Sequence, residues 1–171
     1  MRKFKLFSLA DGYKQMEKVS KIVVTGFAGT TFMTAASELM SLLGKEEFRE
    51  PRLLRKITGR LAPFLSKNWQ LLMGWGAHYC MGFIFAAIYV QLWESGKIKH
   101  NLRNGFILGI ASGILGLLIW RATFSWHPLP PSVNRLNFYL QRIPAHVVFA
   151  VFGTVAYQII TDRQDVRHHE K

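Results

Sequence analysis

Five residues of this chain carry side chains at odds with their surroundings. Glu38, His78, Arg121 and His146 lie inside long apolar stretches, and His127 stands just beyond one, in His127-Pro128-Leu129-Pro130-Pro131. A carboxylate, a guanidinium and imidazoles in an apolar setting have three chemical uses. Glu38 and Arg121 can pair as an inter-helix lock, with His78 and His146 hydrogen-bonded to Thr34, Tyr79 or backbone carbonyls. The same groups can form a site for a polar ligand, a proton or an ion, because imidazole changes charge near neutrality. They can also hold a cofactor: zinc on the histidines with Glu38, or haem between His78 and His146. Residue types alone leave these uses open and single out no metal.

Catalysis has no comparable footing. The chain contains no glycine-rich phosphate loop, nucleophile elbow or His-Glu-x-x-His. Its single cysteine, Cys80, allows neither an intramolecular disulfide nor a cysteine-based metal motif. No catalytic residue is assigned, and non-enzymatic binding or interaction through the histidine-containing cluster leads over proton, ion or solute handling.

The elements that must position these residues follow from how charge and apolarity are distributed. The 171 residues include 22 Lys and Arg against 10 Asp and Glu, a net charge of +12, yet 50% are hydrophobic and the mean hydropathy is +0.13. Charged and apolar residues are segregated. Runs at 22–43, 69–93, 104–124 and 144–160 are nearly free of charge and long enough to cross roughly 30 Å of hydrocarbon at about 1.5 Å per residue. Tryptophans close the second run at both ends, as at membrane interfaces. Thr34-Ala35-Ala36 resembles a signal-peptide cleavage site, but the apolar run continues past it and reads as a span. The expected fold is an all-α membrane protein, one domain over residues 1–171, in which four transmembrane helices form a bundle.

Between the first two spans, Leu53, Leu54, Ile57, Leu61, Phe64 and Leu65 recur at helical spacing while Arg52, Arg55, Lys56 and Arg60 take other faces. That pattern predicts an interfacial amphipathic helix over 51–65, with Pro51 in its first turn. Before the fourth span, Leu136, Phe138, Tyr139, Leu140 and Ile143 form another interfacial stretch. The basic residues Arg2, Lys3, Lys5, Lys14, Lys18 and Lys21 ahead of the first span favour cytoplasmic termini. Membrane flanks account for the positive charge, so nucleic acid is not an expected partner. The lipid bilayer is, with a homo-oligomer or a membrane protein as a further option.

Small residues mark where helices approach in lipid. Gly105, Gly109 and Gly113 form consecutive GxxxG steps that continue by fours to Leu117 and Arg121. Gly74, His78, Gly82 and Ala86 form a stripe in the second span, Gly26, Thr30, Thr34 and Glu38 in the first, and His146, Ala150 and Thr154 in the fourth. Each ionisable residue thus shares the packing stripe of its own helix, and all fall in the same half of the membrane. The expectation is that His78 lies buried, with His146 or Glu38 within reach, beneath a pocket opening toward the loops that hold Pro51 and His127.

Several motifs, in order along nearly the whole chain, resemble those of an uncharacterised family of small bacterial, Bacteroidetes-like, four-span inner-membrane proteins. They are Gly29-Thr30-Thr31-Phe32-Met33-Thr34, Phe48-Arg49-Glu50-Pro51 with Leu53-Leu54, Gly74-Trp75-Gly76-Ala77-His78-Tyr79, the His127 proline loop, and Ala145-His146-Val147-Val148-Phe149. The resemblance implies an inner-membrane location and that His78, His127 and His146 travel together. It implies no activity, and Glu38 departs from the family pattern.

Overall fold

The computed structural model describes residues 9–169, with side chains over 12–164. Of the basic residues that bear on orientation, Arg2, Lys3, Lys5 and Lys171 lie outside the described residues. Regular structure among the described residues is helical: α1 (Leu9–Gly44), α2 (Glu50–Leu61), α3 (Lys67–Glu94), α4 (Leu102–Trp126) and α5 (Arg135–His169). Within these, Gly12–Gly44, Lys67–Glu94, Leu102–Trp126 and Arg135–Gln164 are long and apolar enough to cross a membrane, which makes the chain multi-pass. Phe27, Leu39, Ile84, Ile88, Ile107 and Leu118 are exposed on these helices. In water such surface is a liability; against hydrocarbon it is the matched face.

Local chemistry sets the helix ends. Ser66 caps α3 by accepting from the Trp69 N–H at 3.4 Å, and Asn101 caps α4 by accepting from the Asn104 N–H at 2.9 Å. Gly96, at φ +70, turns the chain out of α3. Without a Cβ it enters the left-handed region at no steric cost.

Helix α1 starts at Leu9, ahead of the run that begins at Ile22, and α5 continues to His169; two further boundaries differ from the sequence reading. The amphipathic segment is helical only to Leu61, after which Phe64 is 85% exposed. The fourth long helix starts at Arg135 rather than at Pro144, which lies inside it. A proline removes one N–H bond, here the one to the Leu140 carbonyl, and discourages a helix. Against that, residues 135–143 bury Phe138, Gln141 and Arg142 completely or nearly so, and Asn134 accepts from the Asn137 N–H at 3.4 Å at the new start.

Helix α1 packs on α3 and α5, α4 on α5, and α2 on α3. The close approach of α4 to α5 runs through glycine. A Cβ added to Gly109 would stand 2.5 Å from Val147 Cα, and one on Gly113 2.7 Å from Ile143 Cα, while Gly105 faces Thr154. On the other side of α5, Gly26 and Gly82 set the α1–α3 contact, facing Phe83 and Thr30 respectively. Gly74 does not face another long helix: it lies against the backbone of α2, 2.6 Å from the Pro51 oxygen by the same construction.

Two apolar clusters result. One joins Met33, Phe85, Tyr89, Trp93, Phe149 and Tyr157 of α1, α3 and α5. The other joins Phe48, Leu53, Ile57, Trp120, Phe124 and Phe138, so α2 closes one end of the molecule with its Leu53 face. Along α5, Arg142 falls between Phe138 of the second cluster and Phe149 of the first.

Candidate functional site

Glu50 opens α2 and is buried, because Pro51, Leu53 and Ile57 hold the first turns of that helix inward. Its carboxylate meets three other helices. Oε1 accepts from Trp120 Nε1 of α4 at 2.8 Å and forms an ion pair with Arg142 Nη1 of α5. Oε2 lies 3.0 Å from His78 Nδ1 of α3. Arg142 is wholly buried; its Nη2 donates to the Phe48 carbonyl at 2.7 Å and to Gln141 Oε1, and its guanidinium lies 4.3 Å from the centre of the Phe138 ring. Gln141 passes the connection to Ser37 of α1 at 3.1 Å.

Electrostatics explains why this acid is ionised. Desolvation pushes the Glu50 carboxyl up, but the Arg142 charge, the His78 hydrogen bond and the His78 and His146 charges together hold it well below the ordinary carboxylate range. Breaking such a pair would leave an uncompensated buried charge, costing about 3–5 kcal/mol.

His78 is 3% exposed, and its Nε2 lies 2.8 Å from Thr34 Oγ1. His146, 4% exposed, sits edge-on to Phe85 with ring centroids 5.1 Å apart, and its Nδ1 has no hydrogen-bond partner. Both imidazoles line one cavity of about 90 Å³, together with Glu50 and Trp120. Its walls are apolar: Met33, Leu54, Phe85 and Phe149, with Met81 and Ile119 at the exposed rim. Met81 of α3 and Ile119 of α4, the exposed lining residues, bring the cavity to the surface between these two helices. Further along α3 and α4 the two helices are joined by the Tyr89 hydroxyl, 2.6 Å from Ser112 Oγ and 3.2 Å from the Leu108 carbonyl.

The other candidates stand apart from this cluster. Glu38 is 44% exposed at its side chain and pairs with Arg49 at 2.9 Å, not with Arg121, which is exposed elsewhere on α4. The reason is reach and register: the turn after α1 brings Arg49 back over Glu38, and the same guanidinium holds Glu47 at 2.5 Å. Desolvation raises the Glu47 carboxyl, but the hydrogen bond and charge of Arg49 outweigh it and leave it lowered. His127 is buried, yet it is no part of the cavity lining; its Nδ1 accepts from the Leu129 N–H at 3.0 Å and its Nε2 lies 3.4 Å from the Ile57 carbonyl. It fastens the proline loop to α2. No cofactor is predicted from the sequence; the zinc option considered there loses its carboxylate with Glu38 outside, and no group of three or more His, Cys, Asp or Glu among the described residues is placed to hold a metal.

Glu50 and Arg142 were the residues sequence reasoning passed over. One signal was available: Arg142 lies four residues before His146, on the same helical stripe, once the helix is allowed to run through Pro144. Comparisons with protein-family models, curated proteins and solved structures find no match.

Proposed function

We propose that this chain is a non-enzymatic, multi-pass protein of a bacterial inner membrane that binds a small molecule entering from the bilayer between α3 and α4. The observation that carries this reading is His146. It lines a cavity whose rim consists of exposed apolar residues, and its Nδ1 is buried without a hydrogen-bond partner. Buried polar groups ordinarily have partners, and one left without is a place for an added group. The Glu50–Arg142–His78 cluster then serves as the rigid floor of the site. Proton, ion or solute handling stays second, supported by His78 bridging Thr34 and Glu50.

The long helices in this reading form a bundle in the bilayer, with GxxxG contacts made between α4 and α5 of one chain. The exposed Arg52, Arg55, Lys56 and Arg60 support α2 lying among anionic headgroups. Termini in the cytoplasm follow from the basic lead, and the inner-membrane location rests on the resemblance noted above.

The test uses protein made with 5-fluorotryptophan in bilayer discs, where Trp120 supplies a fluorine resonance beside the cavity. Titrated with hexadecanol, that resonance is expected to shift saturably, and Met81→Phe at the rim is expected to abolish the shift. A shift that never saturates, or one indifferent to Met81→Phe, would contradict a cavity site.

A further inference from the structure

On the side of the termini, helix α1 runs past the end of its neighbour. Helix α3 ends at Glu94, level with Lys21, while α1 extends back to Leu9. The ridge of α1 that packs on α3 through Gly26 and Thr30 continues by fours through Ile22, Lys18 and Lys14. Past Glu94, α3 no longer covers that ridge. It borders an open hollow of about 590 Å³, lined by Lys14, Gln15, Glu17, Lys18, Lys21 and Glu94. Positive charge is in excess there. Lys18 Nζ and Lys21 Nζ share a single carboxylate, that of Glu94, each at 3.5 Å, and Lys18 also donates to Gln91 Oε1. Lys14, one turn further out, is exposed and has no ion pair among the described residues. Three ammonium groups thus face the two carboxylates of Glu17 and Glu94 across one hollow. Lysine is charged at neutral pH, so this excess depends on no tautomer.

The level of the hollow says which anion meets it. Lys21 stands directly before the first apolar run and Glu94 directly after the second, so the hollow lies where a bilayer carries its phosphates. Its volume equals roughly twenty waters of liquid, room for a phosphate and the glycerol it esterifies. Lysine binds phosphate as a point charge, and a tetrahedral anion offers oxygens to ammonium groups one helical turn apart. We propose that the hollow beyond the end of α3 is a phosphate-ester site, in which Lys14 and Lys18 hold the anion and Glu94 fixes the ammonium of Lys21 beside it. The phosphate belongs either to an anionic phospholipid of that leaflet or to a small soluble ester. This site is separate from the cavity between α3 and α4 and does not depend on it.

Native mass spectrometry of the full chain released from maltoside micelles tests this with three probes: dioleoylphosphatidylglycerol, dioleoylphosphatidylcholine and glycerol phosphate. Phosphatidylglycerol or glycerol phosphate is expected to half-saturate the protein at about a tenfold lower concentration than phosphatidylcholine, whose choline brings a cation to the lysines. That margin lies between the attraction of one lysine and of two. Tight binding of phosphatidylglycerol with none of glycerol phosphate identifies the lipid as the source, and tight binding of glycerol phosphate identifies the soluble ester. Lys14→Gln with Lys18→Gln is expected to remove the margin, and Lys56→Gln on α2 to leave it intact. Lys14→Gln alone, at an exposed position without an ion pair, is expected to reduce it and keeps the test decisive if the double variant fails to fold. Phosphatidylcholine binding as tightly as the other two probes overturns the site. So does an equal loss in Lys56→Gln, which would leave only diffuse surface charge.

Discussion

Trp120 and Glu50, 70 residues apart in the chain, are joined by a hydrogen bond of 2.8 Å from the indole Nε1–H to the carboxylate. Because the same carboxylate also meets His78 and Arg142, one acid in the first turn of a short helix ties α2 to α3, α4 and α5. Glu50→Gln should therefore destabilise the protein by about 3–5 kcal/mol, since it strands a buried guanidinium. Replacing Glu50 and Arg142 together by Met should cost clearly less than the two single changes summed. Equilibrium unfolding in detergent, run as a double-mutant cycle, gives the coupling; strictly additive losses would show that the pair is not a unit.

Acid should reveal the same group. Glu50 has a depressed value in the folded chain and returns to its ordinary 4.5 on unfolding. Its stabilising contribution is complete above that ordinary value, declines as pH falls below it, and is gone once the pH passes below the folded value. Melting temperatures across acid pH should thus fall more steeply for the wild type than for Glu50→Gln, which retains only contributions such as that of Glu47. Parallel curves would remove Glu50 from this role.

Backbone contact between α4 and α5 leaves no room at Gly109. Gly109→Ala should cost about 1–3 kcal/mol by overpacking, because the new methyl meets Val147 Cα rather than a movable side-chain tip. Gly76 provides the control, having nothing within 4 Å of an added Cβ, and Gly76→Ala should leave folded yield unchanged. Yield measured by size exclusion in detergent separates the two. Equal behaviour would mean that the α4–α5 approach is looser than described.

Glu38 should matter little. Its pair with Arg49 is partly exposed, and solvent-screened pairs contribute about 0–1 kcal/mol. Glu38→Ala should shift the unfolding midpoint far less than Glu50→Gln. A loss of similar size in both would restore Glu38 to the cluster from which its position removes it.

The contrast between these acids shows what the sequence could convey. Spans, small-residue stripes and the burial of His78 and His146 follow from periodicity, which depends on neighbours a few residues away. Glu38 lay on the right stripe, yet it sits near the end of α1, where a returning loop offers a nearer cation than Arg121. Glu50 and Arg142 were hidden for the opposite reason. Glu50 directly precedes the segment read as an interfacial helix and Arg142 lies in the stretch read as interfacial, where charge needs no explanation, and only the turn that folds α2 back over α4 and α5 buries them. Helix α5 running through Pro144 was equally illegible, because its compensation is tertiary: Phe138 and Arg142 packed against α2 and α4.

Locating the occupant decides most directly whether the cavity between α3 and α4 is a ligand site. Crystals grown in a lipid mesophase with hexadecanol brominated near its hydroxyl end would report bromine by anomalous diffraction. The expected result is a bromine peak between Met81 and Ile119, beside Trp120, that disappears in Met81→Phe. Bromine found only along the outer faces of the helices, with the space between His78 and His146 filled by water or collapsed, would contradict it.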